Sequence, residues 1–475
     1  MIGEETLLTG GFQTYDSIDS IDQNKEFTYF TELKLLLRGS APLVITFVLQ
    51  YFTSITSTIS AGKLGATELA AYSLGISTFN VAGLAIFQGI VTSLDTLCSQ
   101  AYGSGNLHGV GLYFQRCSLI LLVSMIPLAA FWWNSGLLLG YFIDDHTLVN
   151  MSQTFLRWHI IGVPGLIFFE SGKRFLQAQH IFHAGTYVLG IMVPVNLILN
   201  WTLVWNKSTS LGFIGIPIVI AITYWSMSLL LLAYVVYING MECWGGLSKQ
   251  ALGNWQAVLK LAIPGVFMVI AEFIAFEIQI FLAAKFGTEA IAAQSIVSNL
   301  AAFLFQIPFA YSVVISTRVG HYIGLGNIKG AKTDCKVFFT SAPFIGLFNF
   351  SVFYFGRFAL TRIFTSDESI VCIATWLNIL AGINQIADAF NVLGAGVLRG
   401  QGRQKIGSVL NSIAFYGIAI PLGYTLAFKL DLGLYGLWYG LVLGVVFLAA
   451  GECIAIYTSD WGAIIAVSQK LHGGV

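Results

Sequence analysis

Charge is what this chain holds least of. Asp, Glu, Lys and Arg make up 10% of its 475 residues, where a soluble domain carries roughly a quarter. So little charge cannot clothe a water-facing surface. Neither sign prevails, with 23 Lys plus Arg against 23 Asp plus Glu, so no basic excess points to nucleic acid as a partner. The six cysteines (Cys98, Cys117, Cys243, Cys335, Cys372 and Cys453) stand far apart with no Cys-x-x-Cys pair. That spacing excludes a thiolate metal site and leaves them as small hydrophobes. Histidines are as scattered; His180 and His183 alone could share a helix face, and no metal site is expected there. Neither a nucleophile motif nor a metal cluster marks an enzyme, and no cofactor is expected. No stretch alternates apolar and polar residues as barrel strands do. No cleavable signal peptide is expected, because the first hydrophobic span begins near Leu35.

What is present is apolar length. Hydrophobic residues make up 56% of the chain. A polar, acidic segment, 1–34, reads as a disordered tail. After it come twelve apolar runs, at 38–61, 70–97, 113–135, 154–177, 183–205, 211–239, 255–284, 289–317, 335–357, 371–398, 406–428 and 435–458. Each has the length, roughly 20 residues or more, that crosses a bilayer as a helix. Helices are required because lipid offers no partner to an unpaired backbone group. The fold expected is therefore an all-α polytopic membrane protein of twelve transmembrane helices. The segments 136–150 and 358–369 are shorter and semi-polar and read as interfacial. Lys and Arg are more numerous in the loops that face the cytoplasm if both termini are cytoplasmic, which is the favoured orientation. Asn150-Met151-Ser152 and Asn206-Lys207-Ser208, candidate glycosylation sites, then fall outside.

The two halves repeat one another. Shifted by 222 residues, Ala41-Pro42 falls on Ile263-Pro264, Gly62-Lys63-Leu64-Gly65 on Ala284-Lys285-Phe286-Gly287, and Ala70-Ala71 on Ala292-Ala293. One residue less aligns Gly103-Ser104-Gly105-Asn106 with Gly324-Leu325-Gly326-Asn327. Six spans per repeat return the chain to its starting side, so the repeats are parallel, related by an axis along the membrane normal. The expected organisation is a first lobe over 35–240, a cytoplasmic linker over 241–254, a second lobe over 255–458 and a C-terminal tail over 459–475. Two such bundles around a central cleft suit alternating access by a monomer.

Six acids lie in or at the ends of the runs: Asp95, Glu170, Glu272, Glu277, Asp388 and Glu452. An ionised acid at mid-bilayer costs roughly 2.5–3.5 kcal/mol even on a mild scale, so such residues face a cavity, carry a proton, or both. Asn384, Asp388 and Asn391 recur at i, i+4 and i+7, with Gln385 beside them, forming one polar stripe on an apolar helix. The alternative for that stripe is interhelical glue. Glu272 and Glu277, five residues apart, point roughly 140° apart around their helix. Asp95, at a span end, reads as structural, and Glu170 and Glu452 have no assigned role. Gln50, Asn80, Gln88 and Gln385 are the polar residues expected to line a substrate cleft. Every Lys and Arg is expected outside the span cores.

Leu94-Asp95-Thr96-Leu97-Cys98-Ser99-Gln100-Ala101-Tyr102-Gly103, Phe175-Leu176-Gln177-Ala178-Gln179 and Leu398-Arg399-Gly400-Gln401-Gly402-Arg403-Gln404 are similar to patterns of multidrug and toxic compound extrusion (MATE) transporters. The resemblance is to the eukaryotic, fungal and plant-like branch and runs from about residue 38 to 458. The basic motif of the major facilitator superfamily is missing, since Ser99 to Gly111 holds no Lys or Arg. Resemblance to MATE implies export of organic cations or amphipathic solutes against protons, with sodium the less favoured ion. It also implies that Glu272 and Asp388 carry cation coupling, with Glu277, Asn384 and Asn391 as further members of the site. Gln50 stands where many prokaryotic members place an Asp, so no first-lobe carboxylate site is expected. Phe273, Ile274 and Phe276 replace the Trp-Trp and Tyr that plant and animal members often carry between the span-7 acids, a departure that bears on substrate choice. The membrane is expected to be plasma or vacuolar. The other reading is a flippase for lipid or lipid-linked substrates, which related folds serve and which calls for a basic cleft.

Overall fold

Apolar runs of this length, in a solvent without hydrogen-bonding capacity, close every backbone bond within the segment. The computed structural model describes residues 28–206 and 208–472, and among them no β-strand occurs. Among the described residues eleven helices are long and apolar enough to cross a membrane: α1 (Tyr29–Leu64), α2 (Ala66–Gly103), α3 (Leu107–Trp133), α5 (Ala184–Trp205), α6 (Gly212–Tyr237), α7 (Gln256–Phe286), α8 (Thr288–Gly324), α9 (Ile328–Arg362), α10 (Glu368–Gly400), α11 (Gln404–Lys429) and α12 (Gly433–Tyr457). The twelfth, α4, runs in two parts, His146–His159 and Val163–Ala178, joined by a tight 3-10 turn at Ile160–Gly162. It is less apolar than the others, since it carries Arg157, His159, Glu170, Lys173 and Arg174. It is nevertheless packed as a span, against α2, α3 and α6.

The repeated Gly-x-Gly-Asn stretch has a shared local cause. Gly105 (φ 78°) and Gly326 (φ 72°) both take the left-handed conformation that suits glycine. The residue after each caps the next helix: the Asn106 side chain accepts from the Gly109 N–H at 2.8 Å, and that of Asn327 from Gly330 at 3.0 Å. The same turn thus reverses the chain between α2 and α3 and between α8 and α9.

The halves meet chiefly along two related contacts, α1 against α8 and α2 against α7, and along a third, α2 against α8. Under the 222-residue offset α1 corresponds to α7 and α2 to α8, so exchanging the halves maps one contact onto the other. Glycines permit the approach: a Cβ on Gly89 would collide with the Val266 backbone, and one on Gly103 with the His321 carbonyl. The 240–254 connection is strapped to α3, where the Gln115 amide donates to the Gly246 carbonyl at 2.8 Å and accepts from the Ser248 N–H at 3.0 Å.

Two segments differ from the sequence reading. Helix α1 starts at Tyr29, inside the stretch read as tail; residues 1–27 of that tail lie outside the described residues. Glu32, read as a solvated tail acid, is buried, because the Arg318 guanidinium pairs with it at 2.7 Å. At the other end, Trp461–His472, read as tail, is a helix, α13. Its Trp461 and Ile465 are buried in the second half, and His472 meets the Tyr113 ring of α3 edge-on at 5.6 Å. Burial pushes the His472 imidazole down to about 4, which keeps it neutral in that contact.

Candidate functional site

The longest polar stripe on α10 lies inside the second half. Asn384, Asp388 and Asn391 are all buried. The Asn391 amide donates to Asp388 Oδ1 at 3.2 Å, and Asn384 Oδ1 is buried without a hydrogen-bond partner. Glu272, on α7, is half-buried and lies within electrostatic range of Asp388 and Arg399. The two acids singled out from sequence therefore share one electrostatic neighbourhood, as spans 7 and 10 of one lobe allow. Beside them the Tyr416 hydroxyl of α11 donates to the Ala271 carbonyl at 3.1 Å.

Other expected members separate. Glu277 is exposed, as is Phe276, and the helical rotation that divides it from Glu272 keeps it out of this group. Gln385, expected in the cleft, is buried and accepts from the Asn349 amide at 2.9 Å, while Asn349 also donates to the Leu304 carbonyl at 3.3 Å. That side chain fastens α10 to α9 and α8. Asn80 and Gln88 are half-buried on α2, with Asn80 opening a π-turn, Asn80–Leu84, inside the helix.

Gln50 belongs to a group that sequence reading did not foresee. Its amide donates to Glu170 Oε1 at 3.0 Å and its carbonyl accepts from Lys173 Nζ at 3.1 Å. Lys173 and Glu170 pair at 2.8 Å, and the ammonium also lies over the rings of Phe169 (4.8 Å) and Phe47 (5.5 Å). A first-half carboxylate is therefore present, supplied by α4 rather than α1. The signal was in the sequence: an acid and a lysine three apart on one helix face.

Basic residues expected outside the span cores are nonetheless shielded from solvent inside the protein, Lys173 of this pair among them. Lys173 and Arg399 are buried, and Arg174 and Arg318 nearly so. Each is held by an acid. Arg174 and Arg399 flank Asp95 at 3.2 and 3.4 Å, and Arg318 holds Glu32. A basic cleft for a phosphate-bearing substrate thus finds no uncompensated cation among these four.

Asp95 is the centre of a seam between the halves. Around it, Thr96 Oγ1 donates to the Arg399 carbonyl at 2.5 Å, the Gln100 amide to the Gly400 carbonyl at 2.9 Å, and the Gln404 amide to Thr96 Oγ1 at 2.8 Å. Arg399 Nη2 also donates to Ser312 Oγ at 2.7 Å. These bonds join the end of α2 to α10 and α11 at the end of the molecule that carries the 240–254 linker. Farther from the linker, Tyr51 meets Asn299 at 3.4 Å across the α1–α8 contact.

Comparison with known proteins places the chain. The MatE family model matches residues 42–202 and again 264–425, two copies whose starts are 222 residues apart. A Saccharomyces cerevisiae protein named as an uncharacterized transporter is 40% identical over 464 residues, covering 96% of this chain and 67% of that one. Mouse multidrug and toxin extrusion protein 2 is 32% identical over 443 residues, 93% of this chain and 77% of that one. Among solved structures, a eukaryotic MATE transporter superposes with a TM-score of 0.87 at 24% identity, over 94% of this chain and 99% of its own. A Vibrio cholerae MATE transporter gives 0.82 at 17%, over 92% and 99%.

Proposed function

Because the chain belongs to the multidrug and toxic compound extrusion family, we propose that it is a proton-coupled antiporter that exports organic cations or amphipathic xenobiotics, with Glu272 and Asp388 as the coupling acids. The observation that carries this reading is that Asp388 and Glu272 stand within electrostatic reach of each other inside one lobe. Asn384 and Asn391 complete the polar wall around Asp388. Two carboxylates within electrostatic range in a low-dielectric setting disfavour each other's ionisation unless a cation or a proton is at hand.

A proton arriving from the acidic side neutralises Glu272 or Asp388, and the site loses its attraction for a cationic solute. A bound solute in turn supplies the charge that lets the proton leave. The two ligands are negatively coupled, so binding of one expels the other, and exchange results when the lobes alternate access. Half-buried Asn80 and Gln88 of the first half offer hydrogen bonds to a solute lying between the lobes. Both termini and the linker lie in the cytoplasm, which makes the Asp95 seam a cytoplasmic closure, and the protein works as a monomer in the plasma or vacuolar membrane.

The test is transport by the purified protein in liposomes, with an imposed pH or sodium gradient and a panel of labelled organic cations. Uptake driven by the pH gradient and indifferent to sodium is expected. Transport that collapses without sodium but ignores pH would replace the proton with sodium as the coupling ion.

A further inference from the structure

Glu452, on α12, belongs to neither the coupling pair nor the seam. We propose that Glu452 is a third proton-carrying group of the second half, relaying protons between the coupling acids and the linker end of the molecule. The proposal rests on the proton-coupled reading above.

Glu452 is fully buried, and neither of its carboxyl oxygens has a hydrogen-bond partner. A buried acid retained for architecture is held by donors; this one has none. Its carboxyl occupies the junction of four helices. A Cβ added to Gly394 of α10 would lie 2.9 Å from Oε2, and one added to Gly407 of α11 would lie 3.9 Å from Oε1 and 2.8 Å from Met268 Sδ of α7. The charged groups that act on it are Arg399 and Asp388 from α10 and Glu272 from α7; α11 brings Gly407 beside it.

Depth along α10 turns this neighbourhood into a sequence. Gly394, the neighbour of Glu452, is six residues beyond Asp388, about 9 Å along the axis, and Arg399 is about 7.5 Å farther. Glu452 therefore lies between the coupling acids and Arg399, which is in turn held by Asp95 in the seam at 3.4 Å. A proton leaves the carboxyl of Asp388 or Glu272 through water and adds to the Glu452 carboxylate, so the donor becomes the anion and Glu452 becomes neutral. Glu452 then gives that proton to water at the linker end, and the Arg399 guanidinium stabilises the carboxylate that remains. Only water and the gradient take part.

The experiment compares full-length wild type with Glu452→Gln and Glu452→Asp by infrared titration of the protonated-carboxyl stretch and by transport in liposomes. In Glu452→Gln one titrating carboxyl band disappears and gradient-driven transport slows about tenfold or more, while exchange of substrate for substrate without a gradient stays within about twofold. Glu452→Asp restores part of the driven rate, which a packing role would not. A Glu452→Gln protein that keeps every titrating band, or its full driven rate, overturns the proposal. If that variant folds poorly, Gly394→Ala, which crowds Oε2, is expected to move the midpoint of the same band, and an unmoved midpoint counts equally against the relay. Wild type that shows no proton-driven transport would remove the coupling reading, while the infrared band still decides whether Glu452 takes up a proton.

Discussion

The two halves share a fold and differ in how they settle buried charge. In the first half Glu170 is matched at 2.8 Å by Lys173, and Gln50 bonds to both. In the second half Glu272, Asp388 and Glu452 lie in one neighbourhood, and Arg399, the cation that acts on Glu452, is already engaged by Asp95 and Ser312. The first arrangement is closed, with attraction and hydrogen bonds offsetting desolvation. The second lacks compensating charge and invites a proton or a cationic solute. Duplication supplied the same helices twice, and the proposed coupling chemistry sits where the charges do not cancel.

The comparison can be broken most severely at the uncompensated acids. Asp388→Asn and Glu272→Gln are each expected to lower gradient-driven transport on the order of a hundredfold or more while leaving thermal unfolding nearly unchanged, since the amides keep shape and hydrogen bonding. Wild-type rates in both variants would move coupling elsewhere. Next comes Glu170→Gln, which strands a buried ammonium and is expected to destabilise the protein by about 3–5 kcal/mol, seen as a lower melting temperature in detergent. Adding Lys173→Met should return most of that loss; a double variant no more stable than the single one would show that the pair is not self-compensating. Asp95→Asn loosens Arg174 and Arg399 together and should reduce folded yield more than turnover per folded molecule. The smallest effect is expected at exposed Glu277, where Glu277→Gln should keep transport within about twofold. A larger loss would bring that acid back into the coupling group.

Much of this was legible without coordinates. Run lengths foretold the helices, the Gly-x-Gly-Asn repeat foretold the duplication, and the i, i+4, i+7 stripe singled out the face of α10 that carries Asp388. The run lengths and the stripe are local in sequence, and the repeat shows when the chain is shifted along itself. What escaped depends on distant residues meeting. Glu452 is one acid on an apolar helix, and its surroundings come from Met268, Gly394 and Gly407 on three other helices. The partners of Asp95, Arg174 and Arg399, lie about eighty and three hundred positions away along the chain, beyond any periodicity rule. Glu170 and Lys173 are the exception: their spacing was readable, but hydropathy favoured placing the lysine outside the core. The helical α13 was hidden because its length falls short of a span.

The claim that coupling resides in the second half and not the first is tested most directly by proton counting in liposomes. Protein is reconstituted around an acidic lumen holding a pH-sensitive dye, and an organic cation is added outside. Wild type and the Glu170→Gln/Lys173→Met double variant are expected to alkalinise the lumen as the cation enters, while Asp388→Asn does not. Proton efflux that persists in Asp388→Asn and vanishes in the double variant would contradict the account.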